Sequence, residues 1–279
     1  MIEFRITKND ILELGQGDIS PTVYLDHWAL RMFSESQALS DRLTVALKQQ
    51  NGTLALSWLN LAEFTRVTDE EQASKAETFL EKILPNIFFL EVDFGEVIRR
   101  EDDLLAGGKL IPPHFDLDLL RMFSQMKPNL LNPFTAHDLF KVIQGQVSAR
   151  FDGLADTGVD RIEALRERYA ADPEFQSAIK RLPSGPPIQR GTRFIFREFV
   201  RALIVDKGTN VTRNQVIDLF HAIVPIAYCD FVLLDKYWED QLDRVRSRFK
   251  KAGMDLPTAR VFSGKADGVT RFIGELESK

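Results

Sequence analysis

Two runs of almost wholly apolar residues in this chain each stop at an aspartate: residues 22–25 (TVYL) at Asp26 and residues 231–234 (FVLL) at Asp235. Runs 53–58 (TLALSW) and 87–92 (IFFLEV) have the same character, and 260–262 (RVF) is a fifth candidate. A strand with one wet face alternates apolar and polar residues. Near-continuous apolar strands instead fit a parallel sheet covered on both faces. Helical spacing lies between the runs: Ala73, Ala76, Leu80 and Ile83 recur three or four apart, as do Trp238, Leu242, Val245 and Phe249. Strands alternating with such helices predict right-handed βαβ crossovers and an α/β fold.

The middle of the chain reads differently. Between about residues 95 and 213 strand signals are few and helical ones several, among them Val159, Ile162, Leu165, Tyr169 and Phe196, Phe199, Val200, Leu203. Residues 182–191 (LPSGPPIQRG) form a loop by their prolines and glycines. The expected organisation is a discontinuous core, residues 1–94 and 214–279, interrupted by a mainly helical insertion, residues 95–213.

The carboxylates carry the chemistry. In a parallel sheet, Asp26 and Asp235 emerge together at the carboxyl edge, where open α/β folds place their ligands. Glu63 lies in SWLNLAEFTRV, five residues past the second strand, in the first or second turn of the helix leaving that edge. Asp218 opens DLFHAIVPIAYCD, the helix that feeds the strand ending at Asp235. Crowded carboxylates repel one another unless a cation neutralises them. Hard oxygen donors, with one cysteine in 279 residues and no paired histidines, favour Mg2+ or Mn2+ over zinc. Such an ion could serve phosphodiester hydrolysis.

DLFHAIVPIAYCDFVLLDK is similar to the last acidic motif of PIN-like nucleases, VYLDHWAL to their first-strand aspartate motif, and LSWLNLAEF to their helix-borne glutamate motif. The resemblance covers residues 20–95 and 210–279. Leu234 stands where many of those nucleases have Ser or Thr before the last acid. The resemblance implies a three-layer PIN-like fold with a central parallel sheet. It also implies a metal-dependent ribonuclease that hydrolyses RNA with single-stranded character. Asp26, Glu63, Asp218 and Asp235 would be its catalytic, metal-binding residues, and Asp230 a further ligand or a group supporting the ligands. The alternatives are a non-catalytic PIN-like module that binds nucleic acid, and a protein-interaction module working through the helical insertion.

The remaining residues narrow these readings. His221 is expected beside the site as a structural histidine rather than a ligand. His27 follows Asp26 and so falls near the site, but its side chain should leave on the opposite face if its strand continues. His114 and His137 lack ligand spacing. Cys229 reads as a reduced core residue, and Gly107–Gly108–Lys109 lacks the remaining residues of a phosphate-binding P-loop. A net charge of −5 excludes a globally basic nucleic-acid binder, so contacts to RNA or single-stranded DNA would need a local patch. Basic residues concentrate between Lys180 and Arg213, with Phe194, Phe196 and Phe199 interleaved. Arg190, Arg193, Arg197 and, beside Asp235, Lys236 are the expected contacts. The competing reading is a solvated helix face whose phenylalanines lie in the core. No membrane-spanning run or secretory signal is evident, and a cytoplasmic location is expected. Self-association into a homo-oligomer stays open.

Overall fold

The computed structural model describes residues 1–6, 12–66, 70–108, 111–126, 147–185, 191–206, 208 and 210–279. The expected strands form one parallel sheet. β3 (Thr22–Leu25), β4 (Thr53–Leu56), β5 (Ile87–Phe89), β6 (Phe231–Leu233) and β7 (Arg260–Phe262) lie in the order β5-β4-β3-β6-β7. Every residue of β3, β4, β5 and β6 is buried, as their apolar character requires.

Alternate residues of the central strands face different helical layers. Phe231 meets Phe272 edge-on, and Phe272 in turn meets Phe33, so this face is covered by α1 (His27–Glu35) and α12 (Gly268–Glu277). α2 (Gln37–Gln49) and α4 (Glu70–Ile83) pack with them. Tyr24, one residue from Val23 along β3, instead reaches His221 on α10 (Arg213–Tyr228). That layer also holds α5 (Phe94–Leu105), α7 (Val147–Ala171), α9 (Thr192–Val205) and α11 (Lys236–Lys251). The result is the three-layer α/β architecture expected of a PIN-like fold. α3 (Trp58–Arg66) follows β4, while α6 (Leu117–Met126) and α8 (Pro173–Lys180) lie within the 95–213 segment.

Two features differ from expectation. An antiparallel hairpin, β1 (Ile2–Ile6) with β2 (Leu12–Gln16), precedes the sheet. Gln16 donates from Nε2 to the Phe89 carbonyl at 3.2 Å and accepts from the Phe89 N–H at 2.8 Å, so the hairpin covers part of the β5 edge of the sheet. The helices of the 95–213 segment also share the core of the sheet: Phe199 packs 5.0 Å from Trp238, and Phe94 stacks on Phe196 at 4.5 Å. Among the described residues no helix is long and apolar enough to cross a membrane.

Candidate active site

Strand direction places Asp26 and Asp235 together. β3 and β6 are parallel, with Leu25 opposite Leu233, and the Asp26 N–H donates to the Leu233 carbonyl at 3.1 Å. Asp26 and Asp235 follow these strands as the N-cap residues of α1 and α11. The Asp26 side chain serves that cap, its Oδ1 accepting from the Trp28 N–H at 2.9 Å. The Asp235 side chain makes no such bond.

Glu63 is delivered by a local lock. Ser57 and Asn60 cap the start of α3 reciprocally: the Asn60 N–H donates to Ser57 Oγ at 3.2 Å, and the Ser57 N–H to Asn60 Oδ1 at 3.1 Å. Asn60 Nδ2 then donates to the Leu25 carbonyl at 3.1 Å, tying α3 to the end of β3 beside Asp26. Glu63, in the second turn of α3, therefore hangs over the same edge. α10 begins at Arg213, not at Asp218: Thr212 and Gln215 form a capping box that starts it earlier. Because α10 runs toward the start of β6, its first half, with Asp218 and His221, lies over the carboxyl edge.

The electrostatics show the convergence. Burial pushes the Asp26 carboxyl up to about 8, and the charges of Asp235, Glu63 and Asp218 push in the same direction against the opposing pull of His221. Burial likewise raises Asp218 to about 6, with Asp235 and Glu63 adding to the effect and His221 opposing it. His221 is 2% exposed. Burial by itself lowers its pKa, but Glu63, Asp26 and Asp218 outweigh that and the net shift is upward.

His221 is the hub of a buried relay. Its Nδ1 is hydrogen-bonded to the Tyr24 hydroxyl, and its Nε2 lies 3.1 Å from Glu63 Oε2. The Tyr24 hydroxyl also lies 3.3 Å from Ser57 Oγ. His27 lies near the site, as its place after Asp26 suggests. The chain turns into α1 at that residue instead of continuing as strand, and this swings His27 Nδ1 to 3.4 Å from the same Glu63 oxygen. The sequence signals for this relay are a tyrosine inside an apolar strand and Ser57 three residues before Asn60.

The structure separates Asp230 and Arg193 from this edge. Asp230 precedes β6 and Asp235 follows it, so a strand of roughly 3.3 Å rise per residue sets them about 16 Å apart at opposite edges. Asp230 Oδ2 instead accepts from Ser20 Oγ and the Thr22 N–H, both at 2.8 Å, which pins the amino edge. Asp230 is therefore not a ligand in this site. Arg193 forms an ion pair with Asp102, and its neighbour Thr192 bonds Glu101, which also accepts from the Tyr228 hydroxyl at the far end of α10. The end of α9 that carries Arg193 thus lies at the amino edge, and Arg197 is one turn further along. Phe194 and Phe199 are buried and Phe196 packs against the core, as the solvated-face reading expects. Lys236 lies beside Asp235 but is held 3.1 Å from Glu239 and 3.0 Å from Asp240. Arg190 and His137 fall outside the described residues. His114 is buried, stacked 4.2 Å from Tyr228.

Asp26, Glu63, Asp218 and Asp235 offer only oxygen, the donor set of Mg2+ or Mn2+. Among the described residues no three His, Cys, Asp or Glu side chains are poised as they stand to hold one ion. Mg2+ commonly keeps several waters and takes only one or two protein carboxylates. Compared with known proteins, the chain matches no family model, no curated protein and no solved structure.

Proposed function

We propose that this chain is a divalent-metal-dependent, PIN-like nuclease that hydrolyses RNA of single-stranded character. One observation carries the reading: four carboxylates from four separate elements share one electrostatic neighbourhood at the carboxyl edge of a parallel sheet. Acids gathered this closely, one buried and two half-buried, disfavour one another's ionisation and so oppose folding unless they serve a cation. A bound Mg2+ or Mn2+ would activate water and stabilise charge on the reacting phosphate. The protein's own contribution is placement. Asp26 is fixed by its cap to α1, Glu63 is held by His221 and the Ser57–Asn60 lock, and Asp218 stands one turn before His221. Asp235, whose side chain is not spent on capping, is the acid most available to an incoming ion.

The test is cleavage of a labelled single-stranded RNA and a matched DNA in Mg2+ or Mn2+, with EDTA as control. Asp235→Asn should lower the rate at least a hundredfold, on the order of 3 kcal/mol in the barrier, while the fold stays intact. Activity that survives EDTA or this substitution counts against the reading.

Two observations favour the second reading, a module that binds without cleaving. The Asp26 carboxylate is already used as a helix cap, and no ready-made ligand trio is present among the described residues. RNA binding without cleavage in any metal would decide for it.

A further inference from the structure

Away from the carboxylates, a cavity of about 240 Å3 opens between the end of α8 and α9, lined by Arg181, Arg197, Arg201, Ser184 and Glu198 among others. Three arginines line it against one acidic residue. That carboxylate is already committed: Glu198 Oε2 accepts from Arg201 Nε at 2.8 Å and from Arg248 Nε at 2.6 Å. The Glu198 side chain is 7% exposed, so it acts as a buried anchor that fixes the two arginines while leaving positive charge in excess. The backbone carbonyl of Arg181, which would repel an anion, is occupied by Arg248 Nη2 at 2.7 Å. Arg181 and Arg197 are both exposed. The space is several times the roughly 30 Å3 share of one water, enough for a tetrahedral oxyanion with part of its hydration.

We infer that this pocket binds a phosphate group, held by Arg181, Arg197 and Arg201 with the Ser184 hydroxyl beside them. Guanidinium forks match phosphate oxygens in charge and geometry, and a fork prefixed by a buried carboxylate loses less freedom on binding. The pocket is separate from the acidic edge. Glu198 meets Arg248, thirteen residues along α11 from Asp235, which at about 1.5 Å rise per residue is about 20 Å. It does not depend on the nuclease reading.

The phosphate could be free, or part of a polynucleotide backbone, and the experiment separates the two. Inorganic phosphate and, separately, a single-stranded RNA octamer without terminal phosphates are titrated calorimetrically into the full chain in EDTA, so that cleavage plays no part. Ionic strength is held constant with chloride. The expected result is saturable one-to-one phosphate binding, weakened about tenfold or more in Arg197→Gln, the scale of one lost charge-assisted hydrogen bond. Arg181→Gln should act in the same direction, whereas Lys75→Gln on α4 should change nothing. Both arginines are exposed, so neither variant should disturb folding. Octamer binding that phosphate competes away, and that Arg197→Gln weakens, assigns the site to a polynucleotide backbone. Phosphate binding alone assigns it to a free phosphate or phosphomonoester. No phosphate binding above chloride, or binding that Arg197→Gln leaves unchanged, overturns the proposal.

Discussion

At Asp26 one carboxyl both caps a helix and faces three other acids, and the two roles respond to different substitutions. Asparagine caps about as well as aspartate, so Asp26→Asn keeps the bond to the Trp28 N–H and removes only the charge. In EDTA this variant should be as stable as the parent or more so. Asp26→Ala also loses the cap and should fall about 1 kcal/mol below Asp26→Asn. Urea midpoints measured side by side decide this, and equal destabilisation by both would remove the case for repulsion. The same shifts set a pH dependence. Asp26 near 8 and Asp218 near 6 hold protons in the folded state that the unfolded chain, with carboxyls near 3.8, has already released. Between about pH 4 and 8 the folded state binds more protons, so the stability of the metal-free protein falls as pH rises. The raised pKa of His221 acts in the same direction, its contribution being lost as pH climbs through the folded value. Thermal midpoints in EDTA should therefore be lower at pH 8.5 than at pH 5.5, with a smaller difference in Asp26→Asn.

α10 brings Asp218 and His221 to the site, and its first turn depends on the Thr212–Gln215 box. Thr212→Ala should cost about 1 kcal/mol, measurable as a shifted denaturant midpoint, with amide exchange accelerated at the start of α10 before the rest. The T-x-x-Q spacing marks that start in the sequence, whereas Asp218, an acid of the kind that favours helix starts, lies inside the helix. The elements themselves were legible because their hydrophobic periods are clean. Strands 22–25, 53–56 and 87–89 are almost wholly apolar, and the α4 and α11 stripes repeat three or four apart. Asp26 and Asp235 were legible for the same reason, since strand ends fix where the next side chain emerges. Asp230 was misplaced although the direction of β6 already argued against it, because an acid near a motif is not an acid at the same edge. The placement of His27 depended on whether the chain kept its period of two or turned helical at that residue, which the apolar pattern of β3 alone did not decide.

Across the whole molecule, sequence periodicity divided the chain into a core and an insertion, but tertiary packing joins them. The hairpin β1–β2 carries an alternating pattern, Ile2-Glu3-Phe4-Arg5-Ile6 and Leu12-Glu13-Leu14, that a search for fully apolar strands passes over. The 95–213 segment shows helices to the eye, yet nothing local in it announces which face they will cover. In the structure Phe194, Ile195, Phe199 and Leu203 of α9 belong to the same core as Leu234 and Trp238, and Phe94 lies between Phe196 and Phe220 at 4.5 and 4.8 Å. Removing the segment would expose those faces, and each large apolar side chain returned to water costs roughly 1.5–3 kcal/mol. A few such losses are comparable to the whole stability of an ordinary domain, about 5–15 kcal/mol. The full chain should therefore unfold in one calorimetric transition, its calorimetric and van't Hoff enthalpies agreeing. A chain in which a glycine–serine linker replaces residues 95–213 should lack near-ultraviolet dichroism and cooperative melting. Two resolved transitions in the full chain, or a linker variant that still melts cooperatively, would show instead that the sheet and the helical segment are separate folding units.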